Sequence, residues 1–172
     1  MAWNLDPVHS SIDFAVRHMV VSTVKGRFAE FTVDAQIDVD DITGARGTVT
    51  VQTASVDTRE APRDTHLRSA DFFDAEKYRQ MTFVVKDVRA AGSDYEIVGD
   101  LTIKDITREI VLATEVSGPV VDPFGLTRLG ISATGKFDRK DFDLTWNVIT
   151  EPGALLVGDD VKLSIEAEFT QA

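Results

Sequence analysis

Near the C-terminus of this chain, Val161, Leu163, Ile165, Ala167 and Phe169 alternate with Lys162, Ser164, Glu166 and Glu168. A period of two puts every apolar side chain on one face of a strand and every polar one on the other. A chain built from such segments needs an antiparallel sheet with one dry face. The rhythm recurs about eight times, near residues 12–20, 31–39, 48–52, 81–85, 95–103, 110–116, 129–137 and 161–169. Between the third and fourth segments it breaks. From Thr58 to Tyr78 the residues Ala61, Leu67, Ala70 and Phe73 fit a helical spacing, and Asp71 is placed to cap a second short turn. Gly92-Ser93-Asp94 and Asp105 to Thr107 read as tight turns, and Pro119, Pro123 and Gly125 as a longer bend. The stretch from Arg139 to Gly158, with Trp146 and Pro152, reads as irregular. Eight strands, mostly joined by hairpins, predict an all-β fold: a closed up-and-down antiparallel β-barrel with a helical insertion between strands 3 and 4. A two-sheet sandwich is the other architecture that fits the pattern.

The 172 residues suit a single domain, 1–172, and 43% apolar content supports a packed interior. No run approaches the ~20 apolar residues of a membrane span. No basic-then-apolar leader precedes Trp3, so a cytoplasmic location is expected. The absence of cysteine excludes disulfides, thiolate zinc sites and thiol nucleophiles. A formal net charge of −11 disfavours nucleic acid, and direct insertion into anionic bilayers. A lipid partner is expected to be enclosed by the protein.

Residue parity names the inward set. It comprises Phe14, Val16, Phe31, Val33, Val51, Phe83, Val85, Leu101, Ile103, Leu112, Ile131, Phe137 and Leu163 from the strands. Phe73, Phe142 and Trp146 join them from the connections. Ala133 and Gly135 are small inward positions where an interior tunnel would find room.

Candidate chemistry is sparse. His9, His18 and His66 form no short-spaced ligand pair, so no metal site is expected. The acidic run from Asp38 to Gly44 lacks the closing glutamate of a calcium loop and reads as a hairpin turn. No nucleophile elbow, phosphate loop or dinucleotide fingerprint is present. No catalytic residue and no required cofactor follow. Arg63-Asp64 and Arg139-Lys140-Asp141 either tie loops to a barrel end or receive a polar ligand group there. His18, on the apolar face, is either a core histidine or a contact to a ligand headgroup.

Several blocks in order carry a family resemblance. Trp3-Asn4-Leu5-Asp6-Pro7-Val8-His9-Ser10-Ser11, Phe14-Ala15-Val16-Arg17-His18-Met19 and Val24-Lys25-Gly26-Arg27-Phe28 resemble the opening of the YceI-like family. The stretch from Arg63 to Asp74 is similar to its most distinctive block. Gly99-Asp100-Leu101-Thr102-Ile103 and Asp138-Arg139-Lys140-Asp141-Phe142 complete the match, which runs from Trp3 to Phe169. The resemblance implies a lipocalin-like, extended eight-stranded barrel with an isoprenoid lipid, such as a quinone or polyprenyl chain, in an apolar tunnel. It also implies export of many members to the periplasm and homodimers for some. Asp105, Glu109 and Asp143 depart from the family's Gly and Pro, and add negative charge near loops. At a tunnel mouth they would disfavour a pyrophosphate.

Three readings follow. The first is a carrier or store of a long-chain isoprenoid or amphiphilic lipid. A tail of ~40 carbons, at roughly 0.3 kcal/mol per heavy atom, gains about 12 kcal/mol without any catalytic group. The second is an enzyme acting on a bound lipid, which requires a histidine with a carboxylate or hydroxyl partner facing the cavity. The third is an interaction or stress-response module whose barrel is filled.

Overall fold

A computed structural model describes residues 2–148 and 156–172. Its strands are β1 (Asn4–Leu5), β2 (Ser11–His18), β3 (Ser22–Phe28), β4 (Phe31–Gln36), β5 (Arg46–Gln52), β6 (Val56–Asp57), β7 (Gln80–Ala91), β8 (Asp94–Ile103), β9 (Ile106–Val121), β10 (Thr127–Asp138) and β11 (Val157–Gln171). The single α-helix among the described residues, α1, is Ala61–Arg68. Among the described residues every strand pair is antiparallel.

The eleven strands make an eight-membered ring. β3 continues into β4 through Ala29 and Glu30, and β5 continues into β6 through a short 3-10 turn at Thr53–Ser55. The β4–β5 and β3–β6 pairings are therefore two stretches of one ladder. Ala29 N–H to Ser55 O (3.1 Å) and Gln52 N–H to Glu30 O (2.9 Å) bridge those stretches. The ring then runs through β7, β8, β9, β10 and β11 to β2, which pairs with β3. Closure removes most edge strands. Beside β4 the ladder stays unzipped: β1 lies next to β4 but pairs with β11.

Three expectations need correction. The first strand ends at His18, because Met19 and Val20 take φ of 50° and 66° and turn the chain. The turn feeds β3, which the alternation did not reveal, because its inward residues are Val24, Gly26 and Phe28. The Phe14 ring of the paired strand occupies the space a side chain at Gly26 would need. Pro119 does not bend the chain out of the sheet. β9 runs through it to Val121, and the register shifts between Arg128 and Gly130.

The helical insertion falls between the third and fourth barrel strands, as expected. At eight residues α1 is too short to be stable by propensity. Glu60 caps it by accepting from Arg63 N–H (3.0 Å). The buried Asp64 accepts from the Thr58 N–H (2.9 Å) and hydroxyl, pinning the helix to the end of β6. Asp71 is not a cap; Ser69 fills that role, its hydroxyl meeting Asp71 N–H at 3.3 Å. Leu67 and Phe73 pack against the Phe14–Phe28 cluster, with Phe28 and Phe73 rings 5.8 Å apart. The opposite end is closed by Trp3, Leu129 and Phe169, with Val33, Ala35 and Ile37 of the β4 side packed onto them.

Candidate functional site

The inward face does not fill the barrel. A cavity of about 400 Å³ runs along the axis, from Ile37 and Arg46 at the β4–β5 end to Trp146 and His66 at the helical end. Its wall is almost wholly apolar because parity sends the charged residues outward. Of the residues expected to face it, Phe14, Val16, Phe31, Val33, Val51, Phe73, Phe83, Val85, Leu101, Ile103, Leu112, Ile131, Phe137, Trp146 and Leu163 border it. Phe142 does not. It is 0% exposed and packs edge-on against Phe137 at 5.1 Å, outside the cavity wall. Ala133 borders the cavity, but Gly135 provides no room in it. A Cβ at Gly135 would meet Leu112 Cδ2 at 2.6 Å, so that space belongs to a neighbouring strand's leucine.

The polar end differs more from expectation. Arg139 borders the cavity, is only 2% exposed, and turns its guanidinium onto backbone carbonyls. Nε donates to Gly158 O (2.8 Å), Nη2 to Val157 O (3.3 Å), and Nη1 to Trp146 O (3.0 Å) and Leu144 O. Burial pushes its pKa down, against the pull of Asp159 and Asp138. Its role is to satisfy the carbonyls of Leu144 and Trp146, outside the sheet, and of Val157 and Gly158 at the irregular start of β11. Arg63 also borders the cavity, and donates from Nε to the Thr58 hydroxyl (2.7 Å) and from Nη2 to Thr58 O (2.8 Å). Both arginines thus tie loops down while bordering the cavity. His18 borders the cavity and is half-buried at the end of β2.

His66 is the polar residue that parity did not place at this site. Its Nε2 lies 2.8 Å from Asp71 Oδ2, and its ring stands edge-on to Trp146 (4.7 Å) and Phe72 (5.1 Å). The helical spacing of residues 61–73 held the clue, but a partner five residues on lies across the helix end, where spacing arguments stop. The pair meets the carboxylate condition stated for an enzyme. Its ring contacts, however, are aromatic, which fits an oriented aromatic lid.

The departing acids lie off the cavity wall. Lys104 and Asp105 take φ of 52° and 61° in the β8–β9 turn, and Asp143 takes 59°. Asp tolerates this region better than most residues. Lys104 Nζ donates to Asp143 O (3.1 Å) and lies 3.8 Å from its carboxylate. Glu109 pairs with Lys86 at 2.6 Å. None of the three borders the cavity. The expected negative mouth is therefore not formed by these acids.

A second polar cluster sits at the Trp3 end. Arg128 Nη1 donates to Asp6 (3.0 Å) and Glu168 (2.9 Å), and Nε to Asp122 (2.7 Å). His9 Nδ1 lies 2.9 Å from Asp6. Hydrogen bonds from His9 and then Arg128 lower the Asp6 pKa to about 2, and Asp6 raises that of His9. Asp6, His9 and Glu168 are close enough to share a cation, but the Arg128 guanidinium already bonds both carboxylates.

An antiparallel barrel with a long apolar cavity is a binding architecture. Within that class the YceI-like domain matches residues 3–169, and the chain belongs to the YceI-like family. A UPF0312 protein of Staphylococcus aureus is 37% identical over 98% of this chain and 96% of its own length. One from Staphylococcus epidermidis is 38% identical over the same shares. Among solved structures, the YceI protein of Campylobacter jejuni is 32% identical, with a TM-score of 0.77 over 91% of this chain and 90% of that one. Two more distant structures share the fold. BcnA of Burkholderia cenocepacia has a TM-score of 0.82 at 20% identity, covering 96% and 99% of the two chains. A polyisoprenoid-binding domain of Saccharophagus degradans has 0.70 at 16%, covering 100% and 99%.

Proposed function

We propose that this protein carries one chain-like isoprenoid lipid in its axial cavity and performs no chemistry on it. The observation that carries the reading is the 400 Å³ apolar cavity spanning the barrel between two differently closed ends. The polyisoprenoid-binding neighbour of the same fold supports it. Long apolar chains gain affinity in proportion to the surface they remove from water, so a dry wall is sufficient for binding. The engaged donors of Arg139 favour a neutral end group, such as a quinone or an alcohol, over a pyrophosphate. A buried diphosphate would need charge-assisted donors that this guanidinium gives to carbonyls instead.

The test pairs extraction with cavity filling. Mass spectrometry of solvent extracts from the purified protein should show a long-chain isoprenoid, or the stripped protein should take up added ubiquinone or polyprenol. Ala133→Phe, which places a ring in the cavity wall, should weaken that uptake at least tenfold while the protein stays folded. No extractable lipid together with no uptake of either probe overturns the reading.

A further inference from the structure

We propose that the β2–β3 turn is a membrane-docking tip that seats the cavity mouth on a zwitterionic bilayer. The inference deepens the lipid-carrier reading and rests on it for its purpose. Met19, Val20 and Val21 are 40%, 64% and 80% exposed, in a connection of three residues. Met19 and Val20 both have positive φ. Asn or Gly adopts that conformation readily, whereas a β-branched valine is strained in it. A strained, exposed, wholly apolar turn is a poor choice for a surface that only meets water.

Its position gives it a use. Met19 N–H donates to Leu156 O (2.9 Å), and Leu156, Arg17 and His18 all border the cavity. The tip is thus part of the rim, and a lipid leaving a bilayer there reaches the dry wall without crossing bulk water. Directly behind the tip, the exposed Arg17 donates from Nη2 to Val20 O and from Nη1 to the Thr23 hydroxyl (3.2 Å). Apolar side chains in front and a fixed guanidinium behind match the order of acyl chains and phosphates at a bilayer surface. Lys25 and Lys162 flank Ala15 on the same outer face, exposed and in no ion pair among the described residues. Asp13 shares that face, and the chain carries −11 overall, so the fit is to phosphatidylcholine rather than to anionic lipid.

The β9–β10 turn provides a built-in comparison. Phe124 is 88% exposed, with Val120 and Val121 beside it. That turn stands over the carboxylates around Arg128, at the end closed by Trp3, and none of these three residues borders the cavity. It has the apolar exposure without the mouth.

The experiment is flotation of the full chain with phosphatidylcholine vesicles, alongside uptake of the apolar dye N-phenyl-1-naphthylamine from solution. The natural sequence should float with the vesicles. A Val20→Asn, Val21→Ser double variant, which also relieves the positive-φ valine, should bind vesicles at least tenfold more weakly. It should keep its melting temperature and its dye uptake. Phe124→Asp should bind vesicles like the natural sequence. No flotation of the natural protein, unchanged flotation of the double variant, or an equal loss from Phe124→Asp overturns the docking tip. Loss of dye uptake in the double variant also overturns it, by showing the turn to be part of the cavity. Flotation that follows the expected order, with no dye taken up by the natural protein, upholds the tip and refutes the cavity's role.

Discussion

Arg128 at one end of the barrel is held by three carboxylates, and Arg139 at the other is held by four backbone carbonyls. The first lies among part-exposed ion pairs that water and salt screen. There the closure itself is made by the Trp3, Leu129 and Phe169 plug, and the charges pin the segment that carries Trp3. The second arginine is buried and serves as a substitute for sheet hydrogen bonds. It lets residues 139–146 cover the helical end with aromatic side chains while their carbonyls stay satisfied. The difference separates a closed end, sensitive to pH and salt, from a mouth whose geometry depends on one buried side chain.

The largest test of that contrast is Arg139→Ala. It strips partners from four carbonyls at a buried site and should cost about 4 kcal/mol of unfolding free energy by urea titration. Arg139→Lys should recover less than half of the loss, because an ammonium cannot reproduce the planar fork. Near-natural stability of the lysine variant would show that charge, and not the fork, holds the segment. Trp3→Ala should follow, at about 3 kcal/mol, as expected for deleting a large buried ring. Hydrogen exchange should then rise in β1 and β4 before it rises around α1; uniform exchange would erase the distinction between the ends.

The smallest effect is the pH dependence of the charged knot. The Asp6 pKa falls from 3.8 to about 2, so its contribution is present above 3.8 and is lost as pH falls through 2. The His9 pKa is raised above 6.5, so its contribution is present below 6.5 and is lost as pH rises through the folded value. Both operate together between about pH 4 and 6.5. Asp6→Asn should flatten the melting temperature on both sides of that window, whereas His9→Gln should remove the alkaline arm and shrink the acid arm, which Arg128 alone then sustains. The same profiles from Arg139→Lys should keep the natural shape, since no carboxylate bonds Arg139.

The sequence made the barrel legible because burial on one face of a strand leaves a period of two, and each of the eight ring members shows it along at least part of its length. It missed β3, where Gly26 gives up its side chain to the ring of Phe14, its partner on the adjacent strand but twelve positions away in the sequence and outside any local pattern. The same reason explains Gly135: a small residue marks space, but only the neighbouring strand decides whether Leu112 or a ligand occupies it. Fifteen of the sixteen apolar positions expected at the cavity border it, since parity sets facing. The polar positions fared worse. Which way a guanidinium turns depends on unpaired carbonyls, and these appear only when the chain is folded. Pro152 and its neighbours in the expected irregular segment lie outside the described residues.

Alternation, turn residues and ordered blocks thus determined by themselves a one-sided antiparallel sheet, its inward faces and its family. Tertiary structure alone decided that the dry faces enclose space instead of meeting. It decided that Arg139 donates to four carbonyls and Arg63 to Thr58, that His66 meets Asp71, and that the Met19–Val21 turn stands beside Leu156 on the rim of the mouth. The first set follows from local geometry repeated along a strand. The second depends on distances between strands far apart in sequence, which close only when the ring does.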